Sequence, residues 1–208
     1  MESLKIQEQL EMNYDELVGH LLEKYGAAQY DYFVNEKCRS KHKKITRGTE
    51  GLICHHIDED KAILLGNRDF AILSPFDYQK ADRLVYCNIL EHLILHIKIF
   101  EKTRDNKDEK KLGYRGAVVY IVPKINDYFN GNSLEKEWER TAFNLIKANF
   151  DDYINVINYF IKITDSNPKQ NMSINIELLS LGTDCLPVKI VYSKLKKEKL
   201  NNTKNTEK

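Results

Sequence analysis

The chain has 208 residues, which is enough for one domain of ordinary size with a real hydrophobic core. Its formal net charge of only +1 excludes strong attraction of the whole molecule to nucleic acid, so such binding would depend on local basic patches. No apolar run approaches the roughly 20 residues needed to cross a bilayer, and the first residues lack the apolar centre of a signal peptide, so we expect a cytoplasmic protein without a membrane partner.

The four cysteines are scattered along the chain, and no two of them form a CxxC pair. This spacing argues against a zinc ribbon and against a disulfide framework. We therefore expect reduced thiols at Cys38, Cys54, Cys87 and Cys185.

The N-terminal region, residues 1–49, is expected to contain one helix and a basic arm. The helix is predicted at residues 13–25, with Asn13 as its N-cap, an apolar stripe on one face and Gly26 as its end. Residues 28–36 contain three aromatic side chains and alternate weakly between apolar and polar residues, which favours a strand or an extended arm.

The basic arm follows at residues 37–47 and leads directly into the next predicted strand. A run of like charges is usually a solvated loop. This run stands immediately before a candidate catalytic segment, where cationic side chains suit a phosphate backbone. Lys41, Lys43, Lys44 and Arg47 are therefore the candidate nucleic-acid contacts.

A central region, residues 50–102, begins with a predicted strand from Glu50 to Ile57. The acidic residues 58–60 are expected to form a solvated turn. A return strand is predicted at Ala62–Leu65, and residues 66–80 are interpreted as an inserted loop near the active site.

Four of the six histidines of the chain fall into two pairs in this region. His92 and His96 point the same way from a helix that is predicted between Asn88 and about Lys102, because residues four apart on a helix lie one above the other. Adjacent strand residues point to opposite faces, so His55 and His56 are expected to have different roles. Three neutral imidazoles can bind a transition metal, and the fourth is then left to accept a proton.

The C-terminal half carries no catalytic motif. A charged linker is predicted at residues 103–113, followed by an α+β region of unknown role at 114–193 and a basic tail at 194–208 that we expect to be disordered. Recognition of a target, formation of a homodimer and support of the core are all open roles for this region. The elements predicted within it are strands at 117–122, 173–181 and 188–192 and helices at 134–148 and 151–163.

The histidine pairs resemble the motif of the HNH, or His-Me finger, endonucleases, and the resemblance covers about residues 50 to 98. It is closest to phage HNH proteins and to the nuclease domains of colicin toxins. The resemblance implies an α+β chain organised around a ββα-metal core of two strands and a helix. The residues that carry it are His55-His56-Ile57, Leu84-Val85 and Glu91-His92-x-x-x-His96.

By position, the resemblance implies that His55, His92 and His96 are metal ligands and that His56 is the general base. The cofactor would be one divalent ion, such as magnesium, manganese, nickel or zinc. Directly before the Leu-Val pair, where the family usually has an Asn that supports the loop carrying the base, this chain has Arg83, which can donate but cannot accept hydrogen bonds. Because Arg83 occupies the position of that Asn, we include it in the catalytic set. Residues that could support the loop instead are Asn67, Asp82 and Asn88.

The sequence thus predicts a metal-dependent endonuclease that hydrolyses phosphodiester bonds, with DNA as the expected substrate. A first alternative is a nucleic-acid-binding module with a purely structural metal, in which the change to Arg83 marks lost catalysis. A second alternative is an interaction protein in which the histidines are core residues. Homing, restriction, phage and toxin roles are all open, and the toxin role is less favoured because the sequence shows no delivery segment.

Overall fold

The computed structural model of the chain describes residues 5–104, 112–131 and 134–165. Within these ranges helices predominate and two short strands form an antiparallel sheet, so the predicted α+β class is confirmed. The predicted features that lie outside the described residues are the strands at 173–181 and 188–192, the tail at 194–208 and residues 105–111 of the linker.

Two helices open the described chain, α1 at Ile6–Glu11 and α2 at Tyr14–Tyr25. The prediction for α2 is confirmed at both ends. The Asn13 side chain accepts a hydrogen bond from the backbone N–H of Glu16, and Gly26 ends the helix with a φ of 79°.

The segment after α2 is an extended arm. One antiparallel β-bridge, between Phe33 and Lys41, joins this arm to the basic run. Of the two structures predicted for residues 28–36, the extended arm is therefore the one that forms.

The sheet consists of β1 at Ile53–His56 and β2 at Leu84–Cys87. The predicted return strand at Ala62–Leu65 is wrong. Leu64 has a φ of 54°, which extended strands do not adopt, and residues 62–65 form an irregular bend that leads into a turn. All four residues of β2 are buried, which explains why this apolar run takes the place beside β1.

The connection between the strands is long and contains four short helical segments. A 3₁₀ turn at Ile57–Asp60 follows β1 directly, and α3 at Arg68–Ala71 lies in the predicted insertion. Two more 3₁₀ turns, Phe76–Gln79 and Ala81–Arg83, lead into β2.

The central helix is α4 at Ile89–Thr103. Its N-cap is Asn88, whose side-chain oxygen accepts hydrogen bonds from the first turn. Glu91 is buried and bonds to the Lys24 ammonium (2.6 Å) and the Tyr25 hydroxyl (2.9 Å), which fixes α2 against the start of α4.

The predicted strand at residues 117–122 is wrong. Gly116–Ile121 is a π-helical segment that continues into α5 at Val122–Phe129, and α6 at Glu137–Ile146 and α7 at Phe150–Asp165 confirm the two predicted helices. The buried residues of the first two segments recur at helical rather than strand spacing. They are Ala117, Val118, Ile121, Val122, Ile125, Asn126 and Tyr128.

One hydrophobic cluster joins residues of α1, α2, both strands, α4, α5, α6 and α7, with α4 at its centre. In the described part of the chain, no helix combines the length and the apolar character needed to span a membrane. Cys38, Cys54 and Cys87 are free thiols, as predicted.

Candidate metal centre

Three imidazoles meet where the end of β1 faces the first half of α4. His55 stands opposite Val85 in the strand pair, and its ring centroid lies 5.2 Å from that of His92 and 5.3 Å from that of His96. The Nε2 atoms of His92 and His96 are 3.2 Å apart. One ring nitrogen of each residue lies within 4.8 Å of the others, so this buried group could hold a metal ion.

The hydrogen bonds of Tyr14 fix which nitrogen of His55 carries a proton. The Tyr14 hydroxyl donates to the Ile57 carbonyl (2.8 Å), so its oxygen must accept from Nε2–H of His55 (3.0 Å). Nδ1 of His55 therefore has the lone pair, and it is buried without a hydrogen-bond partner among the described residues. Metal-binding histidines in proteins are usually oriented in this way, by a hydrogen bond from the ring nitrogen that does not bind the metal.

All three imidazoles are held in the neutral form. Burial lowers the pKa of His55 and of His92 well below the usual value, and neighbouring imidazoles lower both further. Burial also lowers the pKa of His96 to about 4, against the opposing effect of the Gly113 backbone. Because neutral imidazole is the form that binds a metal, the three side chains need to lose no proton at pH 7.

A carboxylate also reaches this group. The Glu59 Oε2 atom lies 3.3 Å from Nε2 of His96 and 3.8 Å from Nδ1 of His55. Its side chain is 16% exposed, and burial raises the pKa of this carboxyl to about 8. The solvated turn expected at residues 58–60 is therefore wrong, since Asp58 is buried as well and the Asp60 side chain is only 10% exposed. Sequence reasoning thus missed Glu59 as a residue of the site.

Arg83 holds the turn that carries Glu59. Its Nε and Nη2 atoms donate to the two carboxylate oxygens of Asp58, at 2.7 and 2.6 Å, and Asp58 is 1% exposed. Since Arg83 directly precedes β2, this pair fastens the turn after β1 to the start of the second strand. Arg83 thus acts on the site through Asp58, as a positioning residue.

His56 extends from the other face of β1, as predicted. Its Nε2 lies 2.9 Å from Oε1 of Gln79, whose Nε2 donates to the Leu65 carbonyl (3.2 Å). The amide oxygen must then accept from Nε2–H of His56, which leaves the lone pair on Nδ1. Burial lowers the pKa of His56 to about 4, so the ring is neutral at pH 7.

Both sets of histidines line one cavity of about 360 Å³. The Tyr32 ring packs on His56 with 4.4 Å between centroids, and its hydroxyl accepts a hydrogen bond from Lys41 (2.6 Å). The positive charge of Lys41 contributes to the low pKa of His56, which places this lysine beside the cavity. Other lining residues are Glu59, Gly66, Asn67 and Tyr120.

The remaining basic candidates are placed differently from Lys41. Lys43 and Lys44 are exposed, and Lys44 lies over the Tyr30 ring. Arg47 is committed to contacts within the protein, because its guanidinium donates to Glu50 and to the Tyr25 carbonyl. Lys41 is thus the one of the four that the structure brings to the histidines.

Gly116, in the π-helical segment, lies directly against the His96 ring. A Cβ atom at this position would stand 2.4 Å from Nδ1 and 2.5 Å from Cε1 of His96. Such distances are far inside van der Waals contact, so the absence of a side chain here is what lets the ring occupy its place. A π-helical turn often marks a functional site.

We expect Gly116→Ala to displace His96 and to weaken metal binding by at least about tenfold, with a loss of stability of about 1–3 kcal/mol from overpacking. Titration of the purified variant with zinc, together with its melting temperature, measures both effects. Gly19→Ala is the matched control, because nothing lies within 4 Å of a Cβ at that helix position. Zinc affinity equal to that of wild type in Gly116→Ala would contradict this account.

Comparison of the chain with protein-family models, with curated proteins and with solved structures found no match to any of them. A proposal for the function of this chain therefore depends on the residues of the site. They establish a buried His55, His92 and His96 group that could hold a metal ion, beside a cavity that His56 also lines.

Proposed function

We propose that this chain is a metal-dependent endonuclease of the HNH type, in which β1, β2 and α4 form a ββα-metal core. One observation carries the proposal. His55, His92 and His96 converge from a strand end and a helix, while His56 leaves the same strand on the opposite face and lines the same cavity.

The donor set fits a divalent transition metal. Three neutral imidazoles, two of which (His55 and His96) have a buried Nδ1 without a hydrogen-bond partner among the described residues, favour zinc or nickel over magnesium and manganese, which prefer oxygen ligands. A cation bound there supplies stabilisation of the negative charge that develops on the phosphate and the leaving oxygen. Tyr14 supports this role by keeping the proton of His55 on the nitrogen that faces away from the group.

His56 is the general base in this proposal. Gln79 fixes the ring with the Nδ1 lone pair unprotonated, ready to accept the proton of an attacking water. The apo pKa of about 4 is low for this task. An incoming phosphate anion would raise it, since a nearby negative charge stabilises the imidazolium.

Lys41 and the exposed lysines near it provide the contacts to the nucleic-acid backbone. Lys41 is held at the cavity by the Tyr32 hydroxyl, which suits a phosphate that must sit between His56 and the metal group. DNA is the proposed substrate, and the resemblance implies products with 5′-phosphates. Because these lysines would neutralise backbone phosphates and release counterions, binding should weaken with added salt.

The proposal is tested by incubating chelator-stripped protein with supercoiled plasmid and, separately, with RNA, in the presence of magnesium, manganese, nickel or zinc. We expect nicked and linear DNA with at least one of these ions and none with excess chelator. A protein that binds one metal ion yet cleaves neither nucleic acid with any ion would contradict the proposal.

That outcome would support a second candidate, a nucleic-acid-binding module with a structural metal. The approach of Glu59 to two of the histidines favours this candidate, because structural zinc sites have four protein ligands. Binding of one equivalent of metal, with a higher melting temperature and no cleavage, is its expected result.

A further inference from the structure

We propose that Glu59 is a fourth metal ligand, so that the resting site is a His₃Glu centre closed by protein side chains. This inference rests on the metal centre of the proposed function, and it does not depend on phosphodiester cleavage. It names a ligand that neither the histidine spacing nor the family resemblance provides.

Three of the distances between donor atoms are close to those expected for ligands of one ion. In a tetrahedral zinc site with bonds of about 2.0–2.1 Å, neighbouring ligand atoms lie about 3.3–3.4 Å apart. The Glu59 Oε2 atom is 3.3 Å from Nε2 of His96, which is in turn 3.2 Å from Nε2 of His92. The 3.8 Å between Oε2 and Nδ1 of His55 is slightly longer.

The orphaned nitrogen of His55 is a second and independent indication. Nδ1 is fully buried and has no hydrogen-bond partner within the described ranges, although the Glu59 Oε2 atom lies 3.8 Å from it. Leaving a buried polar atom unpaired is costly. A cation between Nδ1 and Oε2 would satisfy both groups at once.

Of the three acidic residues in the turn after β1, only Glu59 lies beside the histidine group. Asp58 pairs with Arg83 and Lys61, and Asp60 pairs with Lys102 (2.9 Å). Glu59 is the acid that lines the cavity. Within the described residues no lysine or arginine forms an ion pair with Glu59, whose polar neighbours are His55, His96 and the Leu65 backbone.

A fourth protein ligand has a consequence for catalysis. Zinc enzymes keep one coordination position open for water or substrate, and Glu59 would fill that position in the resting protein. A substrate phosphate would then replace one anionic oxygen by another, and the released carboxylate would stay within the cavity. Glu59 is thereby a candidate for controlling access to the metal.

The first test is zinc affinity, measured by competition with a chromophoric chelator, for wild type, Glu59→Gln and Glu59→Ala. We expect both variants to lose more than about tenfold, since even partners outside the coordination sphere are worth about 10- to 100-fold. Asp60→Asn is the matched control, because it removes the same charge from the same turn but faces Lys102. Equal losses in Asp60→Asn and Glu59→Gln would overturn the assignment.

The second test uses cobalt(II) in place of zinc and azide as a small anionic probe of an open coordination position. We expect azide to change the visible spectrum of the Glu59→Ala protein at a lower concentration than that of wild type. The same azide dependence in both would overturn the proposal. Melting temperatures without metal identify any variant that fails to fold, and Glu59→Gln then replaces Glu59→Ala in the comparison.

The outcomes also separate this proposal from the proposed function. Wild-type affinity in Glu59→Gln, together with loss of binding in His92→Ala, would refute the fourth ligand and leave the three-histidine centre intact. A wild-type protein that binds no zinc or cobalt would refute both.

Discussion

His56→Ala is expected to lower the rate of plasmid cleavage by about 10²–10⁴-fold, which is the usual contribution of a general base. Zinc affinity should change little, because His56 leaves β1 on the face opposite to His55 and bonds to Gln79 rather than to the metal group. The loss should therefore appear in the cleavage step at saturating metal. Initial rates of nicking, measured alongside zinc titrations, separate the two quantities.

His20→Ala is the matched control for this variant, since it removes an imidazole from α2, outside the residues that line the cavity. His56 is buried, so the melting temperature of each variant must accompany its rate. Cleavage by His56→Ala at the wild-type rate, under conditions in which the wild type needs a metal, would remove His56 from the role of base.

Zinc is expected to stabilise the wild-type protein strongly, and His92→Ala is expected to abolish most of that effect. A ligand at 100 times its Kd adds about 2.7 kcal/mol to the free energy of unfolding. For a chain of this size, that corresponds to a rise in melting temperature of about 5–11 °C. Removing His92 deletes one of three converging nitrogens, and the remaining two imidazoles hold a cation far more weakly.

The measurement is a set of thermal melts with and without zinc, at a zinc concentration fixed from the wild-type affinity. His20→Ala again provides the comparison, and it should keep the full rise. A His92→Ala protein that still shows the wild-type rise would show that zinc binds elsewhere on the chain.

The part of the site that local spacing controls was predictable. His92 and His96 share a helix face because they are four residues apart, and His55 and His56 diverge because they are adjacent on a strand. Asn13 and Asn88 mark the starts of α2 and α4 in the same local way. These features depend only on the periodicity of helix or strand and on capping of the first helical turn.

The part that distant segments contribute was not predictable in this way. Tyr14 reaches His55 across 41 residues, and Gln79 reaches His56 across 23, with no local pattern that reveals either contact. Glu59 was hidden among three acids that resemble an ordinary turn, of which two do pair with basic residues. Only the fold distinguishes the third.

The two wrong strands have a common physical cause. Ala62–Leu65 and residues 117–122 are short apolar runs, and such runs are compatible with strand or helix until their neighbours decide. At Ala62–Leu65 the left-handed backbone of Leu64 prevents pairing. At residues 117–122 the apolar pattern continues past Pro123 to Ile125 with helical spacing, so the run belongs to a longer helical unit.

The position of Gly116 against His96 implies an order of events during synthesis of the protein. Residues 50–98, which carry the whole family resemblance, leave the ribosome before the segment around Gly116 that backs the His96 ring. The His96 ring therefore gains its last packing contact only when the segment around Gly116, which contributes no candidate ligand, emerges and packs against it. Formation of the candidate metal-binding pocket is therefore a late step, which depends on completion of the helical C-terminal part.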